Sequence, residues 1–152
     1  MSTNPRPLVA FAMIEAGGGH KAPAVAVERA LRERHPGVYR TRVLDFMKDL
    51  GCLGPDARHK RTWEFLLAHP LLAKASYLLS ELTIPVSRAL QRRFLEPFIP
   101  FVIAWIRRER PAMVVATHFF NTLALLEARR RGAGAFVLVS FVTEAWDTPR
   151  YW

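Results

Sequence analysis

The chain has one cysteine, Cys52, among 152 residues. That rules out an intramolecular disulfide, a cysteine zinc cluster and a CxxC redox pair, and it fits a reducing compartment. No apolar run reaches the ~18 uninterrupted residues a spanning helix needs, so membrane contact is expected to be peripheral. The seven apolar residues after Pro7 resemble a signal segment, but Glu15 and a glycine run stand where a small-residue cleavage site belongs. Acids are scarce: 13 Asp and Glu against 22 Lys and Arg leave a formal net charge of +9. This excess favours an anionic partner, whether nucleic acid, phospholipid surface or phosphorylated substrate, without choosing among them. Also missing are the GxGxxG fingerprint and a GKS or GKT P-loop, which disfavours a dehydrogenase or ATPase. No RNP, KH, zinc-finger or helix-turn-helix pattern supports nucleic acid.

What is present is one domain's worth of chain, with 51% hydrophobic residues to build a core. Leu8 to Ile14 has the length of a buried parallel strand. After the glycine run, Ala24, Val27, Ala30 and Leu31 recur at helical spacing, and Pro23 suits a first helical turn. Gly17, Gly18, Gly19 and His20 thus form a strand-to-helix turn. Such a turn either makes a tight connection or lets an anion or polar headgroup approach free N–H groups at a helix start. His35-Pro36-Gly37 ends the helix, and Tyr39 to Asp45 alternates as a second strand. Asp45 at its end either caps the next turn or meets a ligand. Residues 46–56, with Gly51, Gly54 and Pro55, read as a loop.

From about 57 to 110 the character changes, with ten Arg and Lys against four Glu. Trp63, Phe65, Leu71, Leu78, Phe94, Phe101 and Trp105 are interleaved with those charges, and Pro70, Pro85, Pro97 and Pro100 predict several broken helices. The aromatics are either core above a solvated basic face or the apolar side of a membrane-interface region. Ala112 to Thr117 restarts the α/β pattern, a helix runs to Arg131-Gly132, and residues 136–142 form a fourth strand. Gly17 to His20, Asp45, Thr117 with His118, and Thr143 with Glu144 all fall at carboxyl ends of parallel strands. In a doubly wound sheet those ends share one edge and can line one crevice.

Taken in order, Gly17-Gly18-Gly19-His20-Lys21-Ala22-Pro23-Ala24, Val43-Leu44-Asp45, Arg110 to Phe120 and Val142-Thr143-Glu144 resemble the N-terminal domain of the monogalactosyldiacylglycerol synthase and processive diacylglycerol glucosyltransferase family. The glycine loop is shared with the related enzyme that adds N-acetylglucosamine to the lipid-linked peptidoglycan precursor; the ordered set points to the diacylglycerol branch. Phe119 stands where the family often has proline, Glu144 where it has aspartate, and no histidine follows.

The resemblance implies an α/β, Rossmann-like parallel sheet flanked by helices, the N-terminal half of a GT-B glycosyltransferase with an inserted basic helical region. It implies a hexosyltransferase that moves sugar from a nucleotide sugar, such as a UDP-sugar, to diacylglycerol with inversion. This chain is expected to supply the lipid-acceptor half, to be incomplete at its C-terminus, to bind no cofactor itself and to need a donor-domain chain for activity. The alternative is a non-catalytic lipid-binding module of the same fold. His20 and Glu144 are the implied catalytic residues. Gly17, Gly18, Gly19, Asp45, Thr117 and His118 are the implied headgroup-binding residues, with a core or helix-capping role open for His118. Trp63, Arg88, Arg92, Arg93, Trp105, Arg107 and Arg108 are expected to meet anionic phospholipid at the cytoplasmic face of the membrane. No metal and no nucleic acid are expected. His35, His59 and His69 carry no motif and are expected at the surface.

Overall fold

A computed structural model describes residues 6–16 and 18–143, with the backbone alone at Arg88. Four strands lie parallel in one sheet: β1 (Leu8–Met13), β2 (Arg40–Asp45), β3 (Met113–Ala116) and β4 (Val137–Ser140), in the order β2-β1-β3-β4. β1 is paired on both sides, with Phe11 opposite Val43 on one neighbour and Val115 on the other, and all of it is buried. Its alternate side chains serve two layers. Val9, Phe11 and Met13 pack with Val115 and with Ala24 of helix α1 (Gly18–Arg34); Ala10, Ala12 and Ile14 join the larger core on the opposite face. A strand covered on both faces is apolar at every position, so its sequence shows a run rather than an alternation.

The larger core is roofed by α6 (Ile99–Glu109) and α7 (Phe119–Arg130). Trp105 lies within it, 2% exposed, its ring edge-on to Phe46 at 5.2 Å between centroids. The expectation that Trp105 meets membrane is therefore corrected: its apolar area is spent on Phe46 and the helix–sheet contact. Arg107 and Arg108 are exposed at the end of α6 that leads into β3, the opposite edge of the sheet from the strands' carboxyl ends.

Two local expectations also change. Residues 46–56 are not a loop: they hold the short helix α2 (Phe46–Asp49), a turn with Gly51 at φ 87°, and the start of α3 (Leu53–Ala68). Gly54 and Pro55 sit inside the first turn of α3, where a missing N–H leaves no helical bond unmade. The helices that follow do break near the prolines, as expected: Pro70 begins α4 (Pro70–Leu82), Pro85 and Pro100 lie in the first turns of α5 (Ile84–Leu95) and α6, and Pro97 follows the end of α5. Pro23 departs from its expected place. α1 starts at Gly18, so Pro23 lies inside the helix and the Gly19 carbonyl lacks its usual i+4 donor.

Gly18 and Gly19 both have ordinary negative φ and sit in the first turn of α1, and a Cβ added at either meets nothing within 4 Å. Neither is there to satisfy backbone strain, and each leaves open space beside the main chain. Gly18→Ala and Gly19→Ala are thus expected to keep the fold and to raise stability by up to ~1 kcal/mol through helix propensity. A thermal melt checks this; a drop in midpoint would show that the space is needed for folding.

Candidate functional site at the carboxyl edge of the sheet

Strand order reverses between β1 and β3, because the chain leaves β1 for one side of the sheet and β3 for the other. In open α/β sheets the ligand crevice lies outside the carboxyl ends at this switch point. His20 follows β1 and Thr117-His118 follows β3, so the topology brings them together. His20 Nδ1 lies 2.6 Å from the Thr117 carbonyl oxygen, and the Thr117 hydroxyl donates to the His20 carbonyl at 2.9 Å. The Thr143 hydroxyl oxygen is 3.2 Å from the same Nδ1. A carbonyl only accepts, so Nδ1 carries the proton and Nε2 of the neutral ring keeps its lone pair. The His20 ring is held in one tautomer and one orientation.

Thr117 is 1% exposed and its hydroxyl is committed to α1. The expectation of direct headgroup contact is corrected to a positioning role. His118 is the N-cap of α7: its Nδ1 accepts from the Phe120 N–H at 3.2 Å. Its ring is 4.6 Å from that of His20 and 5.2 Å from that of His59, edge-on in both cases. Burial, reinforced by the neighbouring histidines, pushes His118 well below the usual imidazole range. His59 is likewise pushed down to about 4, chiefly by burial. These two rings are therefore neutral at physiological pH.

All three histidines line one cavity of about 640 Å³ between α3, α4 and the sheet edge, a volume in the range of small-molecule sites. Trp63, Leu66, Tyr77, Phe119 and Phe120 supply much of its apolar wall; among the described residues Lys74 is the one charged residue that lines it, and no carboxylate does. An apolar hollow with an oriented imidazole at its end suits a ligand that is mostly hydrocarbon and ends in a hydroxyl.

His59 is the residue that sequence reasoning missed. It was expected at the surface, yet it stacks edge-on to Phe120 with 5.0 Å between ring centroids. A signal was present: His59, Thr62, Trp63, Leu66 and Leu67 follow helical spacing and all face the cavity. Trp63, expected at a membrane, is 43% exposed and lines the cavity as well. Asp45 does not line it. It is 5% exposed and bonded at 2.7 Å to Lys60, which also holds Asp56, so it ties α3 to the end of β2. Burial raises the Asp45 carboxyl; burial lowers Lys60, but its two carboxylate partners outweigh that and raise it overall. Arg92 lines a second, more polar hollow together with Arg129, Arg130 and Arg131, and Arg93 is exposed on α5. Gly17, Glu144 and the side chain of Arg88 lie outside the described residues.

Among the described residues no group of three or more His, Cys, Asp or Glu is arranged to hold a metal ion, and no helix is long and apolar enough to cross a membrane. No family model, curated protein or solved structure matches the chain. The Rossmann-like α/β architecture follows from the parallel strand order and the helical crossovers.

Proposed function

We propose that this chain is the acceptor half of a GT-B glycosyltransferase that moves a hexosyl group from a nucleotide sugar to diacylglycerol with inversion. The observation that carries the reading is His20: an imidazole with Nδ1 tied to a backbone carbonyl, at the end of an apolar cavity. The acceptor hydroxyl gives its proton to Nε2 as its oxygen bonds to the anomeric carbon. The bond from that carbon to the diphosphate breaks, and the nucleoside diphosphate leaves with the electron pair. The nucleotide sugar is brought by a donor domain, and Glu144 remains a candidate partner in the reaction.

The helical segment supports a peripheral membrane location. α4 has no buried residue: Leu71, Leu78, Leu79 and Leu82 are exposed, whereas Ala73, Ser76, Tyr77 and Ser80 face the cavity. This inverts the usual arrangement of a surface helix, in which the apolar stripe faces the core. An outward leucine face in a segment that also exposes Arg58, Arg61, Arg92 and Arg93 suits the headgroup boundary of an anionic bilayer. The cavity behind α4 then lies on the path from bilayer to His20.

Co-sedimentation with vesicles tests this. Wild type is expected to bind anionic vesicles, to bind more tightly when they contain diacylglycerol, and to lose most binding as Leu71→Ser/Leu82→Ser or Arg92→Gln/Arg93→Gln. Absence of binding to any vesicle overturns the reading. Vesicle binding that no donor-domain partner converts into sugar transfer favours the non-catalytic lipid-binding module.

A further inference from the structure

We infer that His118 is a hydrogen-bond donor to the acceptor oxygen, paired with His20 as its opposite tautomer. The inference rests on the acceptor-site reading above and goes beyond it by giving the two adjacent rings complementary roles.

His20 has its proton on Nδ1, because Nδ1 faces the Thr117 carbonyl. His118 is fixed the other way. Its Nδ1 accepts the Phe120 N–H and so must carry the lone pair, which places the proton of the neutral ring on Nε2. Both rings line the same cavity, and their centroids are 4.6 Å apart. One ring therefore offers an acceptor and the other a donor to the same small volume. A hydroxyl needs both: it gives its proton to His20 Nε2 and receives the N–H of His118 Nε2 on its oxygen. As the proton moves to His20, negative charge grows on that oxygen, and a fixed donor stabilises it more than it stabilised the neutral alcohol. The oxygen then bonds to the anomeric carbon and the nucleoside diphosphate departs; His118 keeps its proton throughout. Burial suits this role because it keeps the ring uncharged beside a base that becomes imidazolium. His118 belongs to the catalytic pair as well as to the cap of α7.

Two substitutions separate those jobs. Asparagine is among the best N-cap residues, so His118→Asn keeps the Phe120 bond but has no atom at the Nε2 position. His118→Gln reaches the Nε2 position with an amide N–H but is a poorer cap. The full chain, with ¹⁵N-labelled histidine, is titrated with dioctanoylglycerol in micelles and with its 3-deoxy analogue; binding is read from the ring nitrogen shifts. The expected result is an Nε2–H tautomer for His118, a shift of His118 Nε2 with the hydroxyl lipid alone, and a wild-type preference for that lipid over the deoxy analogue. His118→Asn is expected to melt near wild type yet lose that preference by ~10-fold, while His118→Gln melts lower and keeps most of it. An Nδ1–H tautomer, or undiminished preference in His118→Asn, overturns the inference and leaves the acceptor site standing. If dioctanoylglycerol does not bind wild type at all, the acceptor-site reading falls and this inference with it.

Discussion

His20→Ala is expected to lower hexosyl transfer by ~10²–10⁴-fold when a donor half supplies the nucleotide sugar, the range for removing a positioned general base. The imidazole is only part-buried, so its loss opens no cavity in the core. What disappears is the hydrogen bond to the Thr117 carbonyl and the Nε2 lone pair of the proposed base. Vesicle binding should survive, since the outward leucines of α4 and the arginines of α5 are untouched. His20→Gln should fall with alanine, because it retains hydrogen bonding without basicity. Transfer of labelled hexose into lipid extract measures the first effect and co-sedimentation the second. Transfer within tenfold of wild type in His20→Ala would remove His20 as the base.

Acid lability is the second large effect. Burial holds His59 down to about 4, against 6.5 for a free imidazole, and lowers His118 as well. Between those values the unfolded chain binds protons that the folded chain refuses, so stability is full above about pH 6.5 and declines as pH falls toward 4. For His59 alone the shift corresponds to ~3 kcal/mol across the window, with His118 adding in the same direction. Asp45 runs the opposite way: burial raises its carboxyl, so it takes up a proton sooner in the folded state and offsets part of the loss at acid pH. His59→Phe isolates the term, because phenylalanine suits the contacts with Phe94 and Phe120 and cannot titrate. Urea midpoints at pH 7, 6, 5 and 4.5 should fall more steeply for wild type than for His59→Phe. Parallel curves would mean that His59 is not held neutral by the fold.

The sheet was largely legible in the sequence because its strands are buried and its turns carry punctuation. Leu8 to Ile14, Val43-Leu44-Asp45 and Ala112 to Thr117 each appear where expected, and the convergence of His20 with Thr117 and His118 follows from their places after successive strands. The helical segment was harder to read. Gly54 and Pro55 resemble loop residues unless a helix is known to start at Leu53, since the same residues that break a helix are tolerated in its first turn. Burial in this segment was also not written in residue type. Trp63 and Trp105 both sit among arginines, yet only Trp105 lies on a helix packed to the sheet. His59 looked like a surface residue because its neighbours Arg58, Lys60 and Arg61 are charged; its position on the cavity side depends on how α3 is rotated, which the Lys60 contacts to Asp45 and Asp56 fix from a distance.

The helix that carries His20 rests lightly on the protein. Of its 17 residues Ala24 is the one buried, and the hydrogen bonds that cross from α1 to the strands run between His20 and Thr117 and from Thr41 to Glu28. A helix with so little apolar area to lose on detaching opens at a free-energy cost well below that of global unfolding, as an independent local unit. His20 thus sits on a helix able to open locally, and a ligand that engages both His20 and the β3 side of the cavity would close that opening as it binds.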